Sequence, residues 1–210
     1  MAYDLEEQEQ LATLKGWWKD HGGSVVLVVV AAAIAFSGWQ GWRWYQLRQA
    51  SEASALYEAV LKAVETGDAK GVRDSGGTLV ESYPNRLQAS MGALAQARFY
   101  FDRGDLKSAK AQLQWVIERS PSDEFRDIAR LRLAQVLLDE KAYDAALAQL
   151  ETAPAESFAA QYAALKGDIL VAKQQSAQAA AAYRSALEKA TKDDQAFVQS
   201  VRMRLEALGG

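Results

Sequence analysis

Side-chain catalysis asks for a nucleophile, a general base or a set of metal ligands, and this sequence offers few of them. None of its 210 residues is cysteine and only His21 is histidine. The first fact removes disulfides, thiolate nucleophiles and Cys-based metal sites, and the second removes the commonest base and metal ligand from everything that follows residue 21. Asp123, Glu124 and Asp127 stand close enough to share a cation, yet they follow Pro121 where a helix should start. Carboxylates there are stabilised by the helix dipole, so capping is the better account. Gly67-Asp68 and Gly104-Asp105 lack the run of glycines that cradles a phosphate and read as turns between helices. No HExxH motif and no Ser/His/Asp set is present. The expectation is a protein that is not an enzyme, with no cofactor and no metal site. Its net charge of −3 gives no basic field for nucleic acid, which is excluded as a partner.

Binding is the remaining class of function, and the elements that would support it start with a membrane anchor. Gly22 to Trp42 contains no charged residue, follows Asp20 and His21, and is closed by Arg43. As a helix it would cover roughly 30 Å, the thickness of a hydrocarbon core. Trp17 and Trp18 lie before it and Trp39, Trp42 and Trp44 at its far end, five of the six tryptophans in the chain. Indoles favour the headgroup region, so these five are the expected membrane-interface anchors in contact with the lipid bilayer. Ala33-Ile34-Ala35 matches a signal-peptide cleavage site. Against cleavage stand the acidic Asp4, Glu6, Glu7 and Glu9 ahead of the run and its continuation past the site to Trp39 and Trp42. An uncleaved anchor fits better.

The expected organisation is an N-terminal tail over residues 1–21, a transmembrane helix over 22–45 and a helical-repeat domain over 46–210. Leu11, Leu14 and Trp18 share one helical face, which suits either a short amphipathic helix or a solvated tail. Lys15 and Lys19 on one side balance Arg43 and Arg48 on the other, so flanking charge alone does not orient the anchor. A short head and a long domain suit a signal-anchor protein with its N-terminus in the cytoplasm. From Arg43 to Thr66 no Gly or Pro intervenes, and the anchor helix should run on.

Beyond Thr66 an internal repeat governs the pattern. Gly67-Asp68 recurs as Gly104-Asp105 and Tyr83-Pro84 as Ser120-Pro121, each displaced by 37 residues. Small residues recur at Ala97, Ala134 and Gly167 and at Ala109, Ala146 and Ala179; Leu113, Leu150 and Tyr183 keep the same spacings of 37 and then 33. This is the pattern of tetratricopeptide-like helical hairpins, in which small residues let paired helices approach and a bulky one fills the seam. The fold class is therefore all-α: a single transmembrane helix followed by a TPR-like array. Departures occur at Ala93, Arg130 and Ala163, where a tryptophan is usual, at Gln96 and Lys166, where a leucine is usual, and at Gly76-Gly77 inside a helix. In such an array the first helices line a concave groove, here Leu94, Arg98 and Phe101, then Leu131, Gln135 and Leu138, then Ala164, Asp168 and Val171. The alternation of apolar with polar residues suits a peptide or partner helix, although some of these side chains could instead pack against neighbouring helices.

The chain also resembles the YfgM family, the ancillary subunit of the bacterial SecYEG translocon. The residues that carry the likeness are Gly16-Trp17-Trp18, Gly22, Gly38-Trp39, Trp42, Gln46, Ala50 and Ala55-Leu56-Tyr57, with Ala111 to Leu113 and Leu131 to Ala134 further on. The resemblance implies an inner-membrane protein of the protein-translocation machinery with a periplasmic TPR-like domain. It implies partners too: the SecYEG translocon, a PpiD-like periplasmic chaperone and a secreted polypeptide. The expected function is a non-enzymatic anchored adaptor in the bacterial inner membrane; the alternative is an assembly or scaffold factor for another cell-envelope complex.

Overall fold

The computed structural model describes residues 2–191 and 193–209, with side chains from residue 9 onward in the first helix. Met1, Lys192 and Gly210 lie outside the described residues, as do the side chains of Asp4, Glu6 and Glu7. All regular structure among the described residues is helical: α1 (Ala2–Thr66), α2 (Ala69–Ser82), α3 (Leu87–Asp102), α4 (Leu106–Arg119), α5 (Asp123–Asp139), α6 (Tyr143–Gln149), a 3-10 turn (Glu156–Phe158), α7 (Ala159–Ala172), α8 (Ser176–Lys189) and α9 (Gln195–Glu206). The chain forms two units, Met1–Ala50 and Ser51–Gly210.

Within the first unit, helix covers the N-terminal segment and the apolar run alike, in keeping with the lack of Pro and the dominance of Ala, Val and Leu. Val26 to Val30, Ile34 and Phe36 are exposed, as are all five flanking tryptophans. The segment is long and apolar enough to cross a membrane. Left in water, so much apolar surface would be costly, and lipid removes that cost. At its far border Arg43 lies over the Trp39 ring and Arg48 over the Trp44 ring, at 5.7 and 5.6 Å. Each pair is four residues apart on one helical face, where a cation meets the ring's negative face. Gly22 carries no Cβ where the Trp18 indole crosses the helix, 3.1 Å from where a Cβ would stand.

The second unit is a succession of helical hairpins: the end of α1 with α2, then α3–α4, α5–α6 and α7–α8, with α9 after them. Each apolar cluster bridges neighbouring elements. Ala53 and Val60 of α1 meet Leu79 and Ala89; Ala93 and Ala97 meet Leu113, Val116, Ala129 and Leu133. Ala134 and Ala146 meet Leu165 and Ile169, and Ala163 meets Ala179, Tyr183 and Val201. Nearest-neighbour packing of this kind is what a repeat array requires. The seam residues behave as their spacing predicts: Ala109, Ala146 and Ala179 are all 0% exposed, and the Tyr183 ring occupies the space a Cβ on Gly167 would need.

The turns repeat as well, beyond what the residues announce. Gly67 and Gly104 take φ of +73° and +76°, and so do Lys141 and Gln174 at +60°, spaced 37, 37 and 33 residues apart. In all four turns the next residue's N–H reaches back over the helix end: Asp68 to Ala63, Asp105 to Tyr100, Ala142 to Leu137 and Gln175 to Leu170, at 2.8 to 2.9 Å. That bond satisfies a helix-terminal carbonyl and enforces the left-handed residue whether or not it is glycine. Asp68 and Asp105 then cap α2 and α4 by accepting the N–H of Lys70 and Ser108, whereas Ala142 and Gln175 have no side-chain cap. The three prolines obey the same spacing, Pro84, Pro121 and Pro154.

One element breaks the rule. α4 and α8 run 14 residues each; α6 runs 7. Leu113 and Leu150 differ by 37 but Pro121 and Pro154 by 33, so the four residues lost from the period are lost between Leu150 and Pro154. Four residues are about one helical turn, and the shortened stretch no longer holds a helix. A loop and the 3-10 turn replace it.

Candidate functional site

The first helices of the hairpins carry a ladder of polar side chains. Arg98 on α3 is exposed and its Nε donates to Asp102 Oδ2 at 2.8 Å, one turn along. Gln135 on α5 is exposed and its Nε2 donates to Asp139 at 3.4 Å, the same pairing one repeat later. Asp168 on α7 is held differently. Its carboxylate accepts Tyr183 Oη at 2.8 Å and two bonds from Arg204 Nη1 at 3.1 and 2.9 Å. Arg204 lies on α9, so the last hairpin's rung is neutralised within the unit. Burial, and then the Asp168 carboxylate, push the Tyr183 phenol well above its ordinary range.

Two recesses open along this face. Arg98, Phe101 and Gln135, together with Ala97, Arg132 and Val136, line one of about 160 Å³. Leu131, Gln135 and Asp168 line the next with Arg132, Phe197 and Arg204, about 330 Å³. Gln135 and Arg132 belong to both. Partial burial, and then the neighbouring Arg98 charge, press the Arg132 pKa downward; among the described residues Arg132 forms no ion pair. Arg132 lies outside the pattern of one polar rung per repeat, three residues before Gln135 on the same helical face.

Not every expected groove residue reaches this surface. Leu94 is 6% exposed and lies within an apolar cluster, because its position turns inward toward the paired second helix. It is a packing residue. Ala164, 4% exposed, packs in the α7–α8 cluster and also lines the second recess. Leu138 is half-buried against Ala134, Ala146, Leu165 and Ile169, whereas Val171 is 40% exposed and lines neither recess. Phe101 combines both roles, packed on the α3–α5 cluster from one side and open to the recess on the other. α9 was missing from the expectation altogether. Its signal was present, since Arg204 follows Asp168 by 36 residues, close to the repeat period.

The acids after Pro121 do separate jobs. Ser122 caps α5, accepting the Phe125 N–H at 3.3 Å and donating to Glu124 at 2.6 Å, which holds the Glu124 pKa down. Asp123 pairs with Arg126. Asp127, 4% exposed, accepts the Ala155 N–H at 2.8 Å, receives Arg130 at 3.2 Å and lies beside Tyr162 Oη, which donates to the Asp127 carbonyl at 3.1 Å. Among the described residues no three carboxylates or imidazoles converge as a metal site would need.

Comparison with known proteins agrees with this architecture. A family model described as a tetratricopeptide repeat-like domain matches residues 15–210. The chain is similar to the ancillary SecYEG translocon subunit of Neisseria gonorrhoeae, 33% identical over 212 residues, 99% of this chain and 100% of the relative. The Haemophilus influenzae protein of that name is 28% identical, covering 99% and 100%, and the Escherichia coli protein 29%, covering 95% and 94%.

Proposed function

Because the chain belongs to the tetratricopeptide repeat-like family of ancillary SecYEG translocon subunits, we propose that it is a non-enzymatic adaptor anchored beside the Sec translocon. α1 holds the chain in the inner membrane with its N-terminus in the cytoplasm and its repeats in the periplasm. The repeats bind a chaperone of the PpiD kind, or an emerging secreted chain, through the face formed by α3, α5 and α7. The observation that carries this reading is the recess at Arg98, Phe101, Arg132 and Gln135. An aromatic side and an ion-pair-free guanidinium there match a protein segment that presents an apolar side chain next to an acid. The anchor adds no contact but raises the local concentration at the membrane.

Affinity purification of the tagged chain from gently solubilised membranes tests it. SecY and the chaperone should be recovered with the wild type. Arg98→Ala combined with Phe101→Ala should reduce chaperone recovery while helical content and melting stay unchanged. Wild-type recovery would place the binding surface elsewhere. For orientation, Ser176→Cys puts one thiol at an exposed position in a chain that has none. An inner-membrane-impermeant maleimide should label it in intact cells; labelling only after lysis would reverse the topology.

A further inference from the structure

The shortened α6 leaves a trough on a surface distinct from the ladder of first helices. In the complete hairpins the last two turns of the second helix lie against the hairpin that follows. Leu79, near the end of α2, packs with Ala89 of α3 and Trp115 of α4. Val116 and Ile117, near the end of α4, pack with Phe125, Ala129 and Leu133 of α5. α6 ends after 7 residues and supplies no such turns to α7 and α8. The space is instead a trough of about 540 Å³, lined by Leu150 and Pro154 on one side and by the small or apolar faces of α7 and α8 on the other.

The side chains around it have changed to suit an open surface. Leu133, buried on α5, is matched 33 residues on by exposed Lys166 on α7; Trp115 on α4 is matched 70 residues on, one period of 37 and one of 33, by Ser185 on α8. Two residues that fill the earlier seam have thus become a lysine and a serine. Lys166 and Lys189 line the trough, no acidic side chain does, and neither lysine has an ion pair among the described residues. A floor of Ala163, Ala181 and Ala182 admits a helix backbone closely.

We infer that this trough docks a short amphipathic α-helix of a partner protein, in the place of the missing half of α6, with small apolar residues facing the alanine floor and acidic residues meeting Lys166 and Lys189. The internal repeat says that the occupant is a helix, because helices fill the two corresponding places in the same molecule. The lysines set its charge.

The probe is a fluorescent synthetic peptide of about 14 residues, the length of α4 and α8, with Ala and Leu at helical spacing and Glu on both flanks. Its anisotropy is followed with the full-length chain in lipid nanodiscs. A peptide with Lys for Glu, and one with a central proline, serve as controls. Saturable binding is expected for the acidic peptide and not for the controls. Lys166→Glu with Lys189→Glu should weaken it about tenfold, since both pairs become repulsive. Ser185→Trp, which restores the tryptophan of α4, should abolish it without lowering the melting temperature. Arg98→Ala should leave it unchanged, which separates this site from the face proposed for the adaptor function. Equal binding of the proline peptide, or indifference to the charge reversal, would overturn the inference. So would a chain dimer in sedimentation that Ser185→Trp dissociates, because the occupant would then be a second copy.

Discussion

In the α3–α4 hairpin the second helix runs 14 residues and its last two turns carry Val116 and Ile117 into the core shared with α5; in the α5–α6 hairpin it stops after 7, and Ala153 and Pro154 pass by in a loop. Both hairpins start alike, with a left-handed turn residue and a buried seam alanine. The difference shows that about two turns of a second helix can be dispensed with if two needs are met. The freed backbone must find new partners, and the next hairpin must tolerate exposure. Asp127 meets the first need, binding the N–H of Ala155 as the loop turns toward α7. Lys166 and Ser185 meet the second.

The sharpest way to break this contrast is at Asp127. Asp127→Ala removes the acceptor of Ala155 and leaves Arg130 and Tyr162 with fewer partners, so the chain should lose about 2 to 4 kcal/mol. Asp127→Asn keeps one acceptor oxygen and should lose less. Urea unfolding of the solubilised chain measures both, and equal stability to wild type would mean that the loop is held by something else. Next in size, Ala146→Leu should cost about 1 to 3 kcal/mol by overpacking against Ala134, Leu165 and Ile169. An unchanged thermal midpoint would contradict the seam assignment.

The two turns give a paired test of opposite sign. Gly104→Ala forces a Cβ into a φ of +76° and should destabilise by about 1 kcal/mol, while Lys141→Gly relieves the same strain at +60° and should stabilise by up to about 1 kcal/mol. If both changes move unfolding the same way, the turns are not equivalent. The smallest effect is expected at Arg98→Ala, within about 0.5 kcal/mol, because its partner Asp102 is exposed one turn away. A larger loss of stability would make Arg98 a folding residue and weaken its proposed role in binding.

The sequence by itself determined the anchor, the helical class, the period and the seam. Each rests on a requirement that one residue type satisfies locally: an uncharged run for lipid, glycine for a left-handed turn, alanine where two backbones come close. Only the tertiary structure decided that α6 stops after 7 residues and that Asp127, 28 residues before Ala155, accepts the N–H of the loop that replaces the rest of the helix. It also decided that Lys141 and Gln174 take the glycine conformation, since the hydrogen bonds of Ala142 and Gln175 to the preceding helices outweigh a cost of about 1 kcal/mol. Leu94 and Arg98 are one turn apart and looked alike as groove residues. Packing against the α4 and α5 clusters put the first inside and left the second out, and Arg204, 36 residues beyond Asp168, closed the last rung of the ladder. Such choices depend on which helix lies opposite, and a sequence pattern read along one helix does not contain its neighbour.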